Sequence, residues 1–190
     1  MWIKIILTLI SVLLLGFTWL KYDNLDMDLK NYPRLSDTLR IHNDLVAISK
    51  TKKSRNYRNL DVLNQVAAYI KSELEKETPS VSEQKFDVRG SEYKNIIASF
   101  GPENAERIIV GAHYDVCGEQ EGADDNGSAV AGLLELARLL KNQDLKYRFD
   151  LVAYTLEEPP FFRTEHMGRR YGLKNSKPPP RSLVLIFQTI

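Results

Sequence analysis

Two apolar runs with an amphipathic helix between them constrain this chain most. Residues 107–116 read Arg-Ile-Ile-Val-Gly-Ala-His-Tyr-Asp-Val and residues 149–156 read Phe-Asp-Leu-Val-Ala-Tyr-Thr-Leu. Nearly continuous apolar runs of this length are the pattern of strands buried on both faces. Between them, Ser128–Leu140 sets Ala129, Val130, Leu133, Leu134, Leu136, Ala137 and Leu140 at helical spacing. Strand, helix, strand is a βαβ unit. It predicts an α/β fold with a mostly parallel sheet and helices on both faces. Tyr93–Phe100 reads as a further strand. Leu60, Leu63, Val66, Ala67, Ile70 and Leu74 mark another amphipathic helix, with Asn59 or Asp61 as its cap. Leu39, Ile41, Leu45, Val46 and Ile48 give a looser apolar stripe, and Gly118–Gly127 reads as a polar loop.

The length, 190 residues, fits one domain of ordinary size or slightly more, and 43% hydrophobic with 27% charged residues argues against wholesale disorder. The formal net charge is +1, so no global signal points to a nucleic-acid partner. Cys117 is the single cysteine, which excludes an intrachain disulfide and a cysteine-based zinc finger. The balance hides three blocks. Residues 1–21 carry Lys4 and Lys21 and no acid. Residues 22–166 hold 19 basic and 25 acidic residues. Residues 167–190 hold Arg169, Arg170, Lys174, Lys177 and Arg181 and no acid.

Ile5–Leu20 is free of charge, and with Met1–Ile3 it reaches the ~20 residues that cross a bilayer. Trp2 and Trp19 sit where interfacial aromatics belong. Residues 1–21 are therefore expected to be a transmembrane anchor or, as the alternative, a cleaved signal, although Gly16–Leu20 offers no small-x-small cleavage site. Either places the remainder on the extracytoplasmic side, membrane-anchored or secreted. A connector is expected over 22–34, the main domain over 35–168 and a divergent basic tail over 169–190. The five basic residues within 50–58 read as a solvated turn. Nothing in the sequence speaks to oligomeric state.

Open α/β sheets bind ligands at the carboxyl ends of their strands. His113 and Asp115 close one strand, Glu157 and Glu158 close the next, and Asp124 and Asp125 lie in the loop before the helix. Five carboxylates and one imidazole converging on a crevice call for a divalent cation, because unpaired they would repel and take up protons. Zinc accepts both donor types. Residues two apart in a strand point the same way, so Asp115 can reach the ring of His113 and fix its tautomer. Glu157 and Glu158 are adjacent and diverge, so one can bind metal while the other serves as a base.

The motifs Gly111-Ala112-His113-Tyr114-Asp115, Gly122-Ala123-Asp124-Asp125-Asn126-Gly127-Ser128 and Thr155-Leu156-Glu157-Glu158-Pro159-Pro160 closely resemble the di-zinc aminopeptidases, the group of leucyl aminopeptidase, plasma glutamate carboxypeptidase and glutaminyl cyclase. The resemblance spans residues 35–168. It implies a three-layer α/β sandwich, two zinc ions in a complete site and a peptide substrate. It also implies His113, Asp124 and Glu158 as metal ligands, Asp124 bridging. Glu157 is implied as the general base toward a metal-activated water, Asp115 as the group orienting His113, and the Asp124–Asp125 peptide bond as cis.

Other readings are weaker. Cys117 lies four residues beyond His113, without an evident orienting group for a nucleophile pair. His166 does not stand where the family's second zinc histidine lies, and His42 reads as structural or exposed. There is no Gly-x-Ser-x-Gly or Gly-x-Gly-x-x-Gly motif. After Gly168 the sequence departs from the family pattern. Pro178-Pro179-Pro180 is unlike a crossover helix, Leu183–Phe187 can form a strand, and Gln188 stands near where an acidic ligand is expected. The expectation is a truncated or frame-shifted copy of a longer zinc exopeptidase, lacking its last ligands and hence inactive as it stands. The alternatives are a non-catalytic peptidase-like ectodomain and a glutaminyl-cyclase-like acyl transferase.

Overall fold

The computed structural model describes residues 36–175 and 182–186. The apolar run and connector expected over 1–34 lie outside the described residues, as does Gln188. Among the described residues no helix is long and apolar enough to cross a membrane.

The strands are β1 (Val81–Val88), β2 (Ser91–Phe100), β3 (Arg107–His113), β4 (Arg148–Tyr154) and β5 (Ser182–Ile186). They form one sheet in the order β1-β2-β4-β3-β5. β3 pairs in parallel with β4 on one side and β5 on the other. β2 pairs antiparallel with both β1 and β4. The sheet is thus mixed rather than mostly parallel. The reason lies in a turn that hydrophobic pattern does not mark. Arg89 and Gly90 both have positive φ, at 54° and 81°. Two such residues between strands make a tight hairpin, which can join only antiparallel neighbours. β1 itself was not expected. Its sequence, Val-Ser-Glu-Gln-Lys-Phe-Asp-Val, buries only Phe86 and Val88, as an edge strand with a wet face does.

The helices are α1 (Thr38–Ser49), α2 (Leu60–Glu75), α3 (Ser128–Leu140) and α4 (Gly168–Asn175). The β3–α3–β4 unit appears as read. Leu63, Val66, Ile70 and Leu74 of α2 and Val130, Leu133, Leu134 and Ala137 of α3 share one buried cluster with Ile96, Ala98, Val110, Ala112, Leu151 and Ala153 of the sheet. Each large aliphatic side chain buried there contributes about 1.5–3 kcal/mol. Ile109, Val152 and Tyr154 form a smaller cluster with Ile97. Tyr93 pairs with Phe86 and lies four residues from Ile97, so both rings share that second face. Tyr171 of α4 stacks on Phe86 at 4.4 Å, which puts a helix on this face too. The residues beyond 168 therefore give the fold α4 and β5. α4 starts at Gly168 and runs across the boundary expected between domain and tail.

Candidate metal centre

Because β3 and β4 are parallel neighbours, their last residues, His113 and Tyr154, are register partners at one edge of the sheet. A further bond from Tyr114 N to Tyr154 O (2.9 Å) holds the two chains together one step past the strands. Asp115 and the Glu157-Glu158 pair are delivered there, and the turn Ala123–Gly127 folds over them. His113 is 3% exposed. Its Nε2 lies 3.1 Å from Asp125 Oδ1 and 3.7 Å from Glu158 Oε1. One donor atom from each of these three residues falls within 4.8 Å of the others. Tetrahedral zinc with ligands at ~2.0–2.1 Å separates its donors by about 3.3 Å, so one imidazole nitrogen and two carboxylate oxygens at these spacings fit the ion.

The acidic residue in this ring is Asp125, not Asp124 as expected. Asp124 is exposed and lies outside the donor group. The cis peptide bond is likewise one place along, at Asp125–Asn126 rather than Asp124–Asp125. Two adjacent aspartates leave sequence spacing unable to say which one the turn points inward. The turn decides it: Gly122 enters with φ 59°, and Asp125 and Asn126 depart from helical angles.

Asp115 is 2% exposed. Its Oδ1 accepts from Glu157 N (3.2 Å) and its Oδ2 from Glu158 N (3.1 Å), so one carboxylate clamps the end of β4. For His113 Nε2 to act as a ligand, the ring proton sits on Nδ1. That atom faces the Asp115 carbonyl at 3.1 Å and its carboxylate at 3.5 Å. Burial works to lower the basicity of His113, but Asp115, Asp125 and Glu158 outweigh it, and its pKa is held up at about 9. Glu158 is raised by burial and by Asp125 and Asp115, with His113 opposing. Glu157 is buried beside the ring. Its Oε1 accepts from Arg169 N (2.8 Å), while Oε2 has no hydrogen-bond partner. Burial pushes its pKa up to about 7, the Arg169 amide and guanidinium pulling the other way.

The loops around the ring hang on a residue that sequence reading placed in a solvated turn. Arg55 is 0% exposed. Its Nε donates to Tyr114 O (2.8 Å), Nη2 to Gly122 O (2.5 Å) and Nη1 to Glu121 O. One guanidinium thus joins the end of β3 to the entrance of the Asp125 turn. Burial lowers its pKa to about 10, with Asp115 and Asp125 opposing. Two exposed lysines, Lys52 and Lys53, stand just before it and make the stretch read as solvated, so no local signal marks it. Only glycine fits at 122, where a Cβ would lie 2.2 Å from Val116 Cγ1 and 2.6 Å from Asp125 O. Cys117, His42 and His166 are not part of the donor group. His42 is exposed on α1, and His166 stands edge-on to Phe161 at 6.1 Å.

The three motifs and their geometry agree with comparison to known proteins. Uncharacterized protein YfbL of Escherichia coli (strain K12) is 39% identical over 166 residues, 83% of this chain and 51% of that protein. Aminopeptidase YwaD of Bacillus subtilis (strain 168) is 34% identical over 76 residues, 38% of this chain and 17% of that one. The chain spans about half the length of YfbL. Among solved structures, a Bacteroides thetaiotaomicron glutaminyl cyclase bound to N-acetylhistamine matches with TM-score 0.69 and 23% identity, covering 83% of this chain and 63% of that one. A Zn-dependent exopeptidase from Parabacteroides distasonis matches with TM-score 0.64 and 23% identity, covering 80% and 61%. These structures share the fold. The family model for Peptidase family M28 matches residues 95–187, a span that runs from within β2 through β5 and holds every member of the donor ring.

Proposed function

We propose that the chain carries the metal-binding half of a zinc-dependent aminopeptidase acting on peptides. The observation behind this reading is the ring of His113, Asp125 and Glu158 with Glu157 buried beside it. Three protein donors are what a catalytic zinc takes when it keeps an open position. The two ions that the resemblance implies need donors beyond these three. When bound, zinc supplies Lewis acidity that polarises a scissile carbonyl and brings a water toward ionisation near pH ~7.

The remaining work falls to the chain's own groups. Asp115 holds the His113 ring and the Glu157-Glu158 backbone in register. Glu157 has Oε1 tied to Arg169 N, while Oε2 is buried without a hydrogen bond, 3.7 Å from Arg169 Nε. Oε2, which no hydrogen bond occupies, can take a proton from the attacking water and return it to the leaving amine. As part of the same reading, the charge-free run Ile5–Leu20 anchors the chain and exports the domain.

Calorimetric zinc titration of the full chain, with the variants Asp125→Ala, Asp124→Ala and Glu157→Gln, tests the proposal. Asp125→Ala abolishes tight binding, Asp124→Ala retains it, and Glu157→Gln binds zinc like the parent. In a form whose site is completed by further donors, Glu157→Gln lowers kcat on aminoacyl anilides by ~100-fold or more. Equal zinc affinity in all variants overturns the ligand assignment. Cyclisation of an N-terminal glutamine without anilide hydrolysis selects the acyl-transferase reading instead.

A further inference from the structure

Asn95 is 0% exposed and lies in the sheet, on the face that carries α4. Its carboxamide makes three hydrogen bonds. Nδ2 donates to Gln84 Oε1 (2.9 Å) and to Gly168 O (2.9 Å), and Oδ1 accepts from Thr155 N (3.1 Å). The orientation is fixed by the partners, since a backbone amide can only donate and a carbonyl can only accept.

The placement is specific. The β2–β4 ladder ends at the pair Ile96–Ala153, and the Asn95 side chain takes over just beyond it. Gly168 N in turn donates to Thr155 O (3.0 Å). Both ends of the loop that carries Glu157 and Glu158 are therefore tied to one carboxamide. Gly168 is pressed so close that a Cβ there would lie 2.3 Å from Thr155 O and 2.5 Å from Asn95 Oδ1. The next residue, Arg169, is in the first turn of α4, where an amide has no acceptor within its helix. That amide donates to Glu157 Oε1 (2.8 Å).

We propose that Asn95 is a positioning residue for Glu157. By holding Gly168 it fixes the Arg169 amide against Oε1, with the Arg169 Nε 3.7 Å from Oε2, and so sets where Oε2 points. The inference rests on the reading of Glu157 as the proton-transfer group.

The test is amide hydrogen exchange on the full chain by NMR, with Leu151 N–H in β4 as the reference for global opening. Asn95→Asp keeps the acceptor for Thr155 N but turns an oxygen toward Gly168 O. It is expected to speed exchange at Arg169 roughly tenfold relative to Leu151, the loss of about one hydrogen bond. Gln84→Ala removes only the third partner and leaves Arg169 protected. Glu157→Leu exposes the Arg169 amide while Gly168 and Thr155 stay protected, because the clasp precedes the carboxylate it serves. Arg169 exchange that is unchanged in Asn95→Asp, or that rises only in step with Leu151, overturns the proposal. So does loss of protection at Gly168 in Glu157→Leu.

In the form completed by further donors, Asn95→Asp lowers kcat about tenfold with KM and zinc stoichiometry unchanged. A change in KM or zinc content alone contradicts a positioning role. If the form completed by further donors turns over no peptide while the exchange pattern is as expected, the proposed function fails and the positioning of Glu157 stands.

Discussion

Individual residues here do unequal work, and Arg55 shows it most plainly. Buried itself, it meets three backbone carbonyls from two separate segments, Tyr114 O in the interior and Glu121 O and Gly122 O in a half-buried loop. Replacing it with Met leaves those carbonyls with no donor, at ~1–3 kcal/mol for each acceptor stranded. Arg55→Met is expected to lower stability by about 3 kcal/mol or more, a drop in Tm of roughly 6–12 °C for a chain of this size. Arg58→Met, on an exposed neighbour, should move Tm by less than about 2 °C. Thermal unfolding followed by circular dichroism checks both, and equal small shifts would show the guanidinium to be dispensable. The contrast marks a limit of reading residues in sequence. The placement of His113, Asp115, Glu157 and Glu158 is legible because they stand where strands end, and strand ends follow from hydrophobic pattern. Arg55 and Asn95 were not, because their partners are backbone atoms on segments far away in sequence. Asp125 stood in between: the acidic turn was legible, but which of two neighbouring carboxylates faces inward depends on backbone angles.

At the scale of elements, local chemistry and periodicity carried most of the information. α1 starts where Asp37 accepts from Leu39 N (3.0 Å) and Arg40 N (3.1 Å). Glu135 of α3 takes the Asp37 amide itself at 2.7 Å, so the start of one helix is tied to the side of another. Asp37→Ala is expected to cost about 1 kcal/mol, the usual value of an N-cap. Glu135→Ala leaves the Asp37 amide without its acceptor and costs a similar or larger amount. Chemical denaturation of the two single variants and the double variant measures this. Simple additivity would refute a shared network. α2 differs: Asn59 sits at its cap position without a side-chain cap bond and donates Nδ2 to Ser54 O instead (2.8 Å). The helices α2 and α3 and the strands β2, β3 and β4 were readable because each buries a face with a clear period. β1 was not, since its stability comes from pairing along β2 through the Arg89–Gly90 turn rather than from its own apolar content. That one missed hairpin is also why the sheet is mixed.

For the whole molecule, the decisive feature is the asymmetry of the sheet's two edges. β1 is a polar edge, with Lys85 and Glu92 paired across the hairpin at 3.1 Å. Charged side chains of this kind discourage further strand pairing. β5 is the opposite edge in the described sheet, bonded to β3 on one side. It reads Ser-Leu-Val-Leu-Ile, and Leu183 and Leu185 stand 56% and 47% exposed. A short, uncharged, β-prone edge with leucines in water is a template for pairing with another chain. The 190-residue chain is therefore expected to self-associate through β5 at micromolar concentrations. Leu183→Lys with Leu185→Lys places two charges on that edge without touching the buried contacts of β3. Sedimentation velocity at increasing concentration should show the parent shifting to larger species and the double variant staying monomeric, with zinc affinity unchanged because the donor ring lies on other strands. Equal self-association in both proteins would mean that the edge is covered, and that the contact lies elsewhere on the surface.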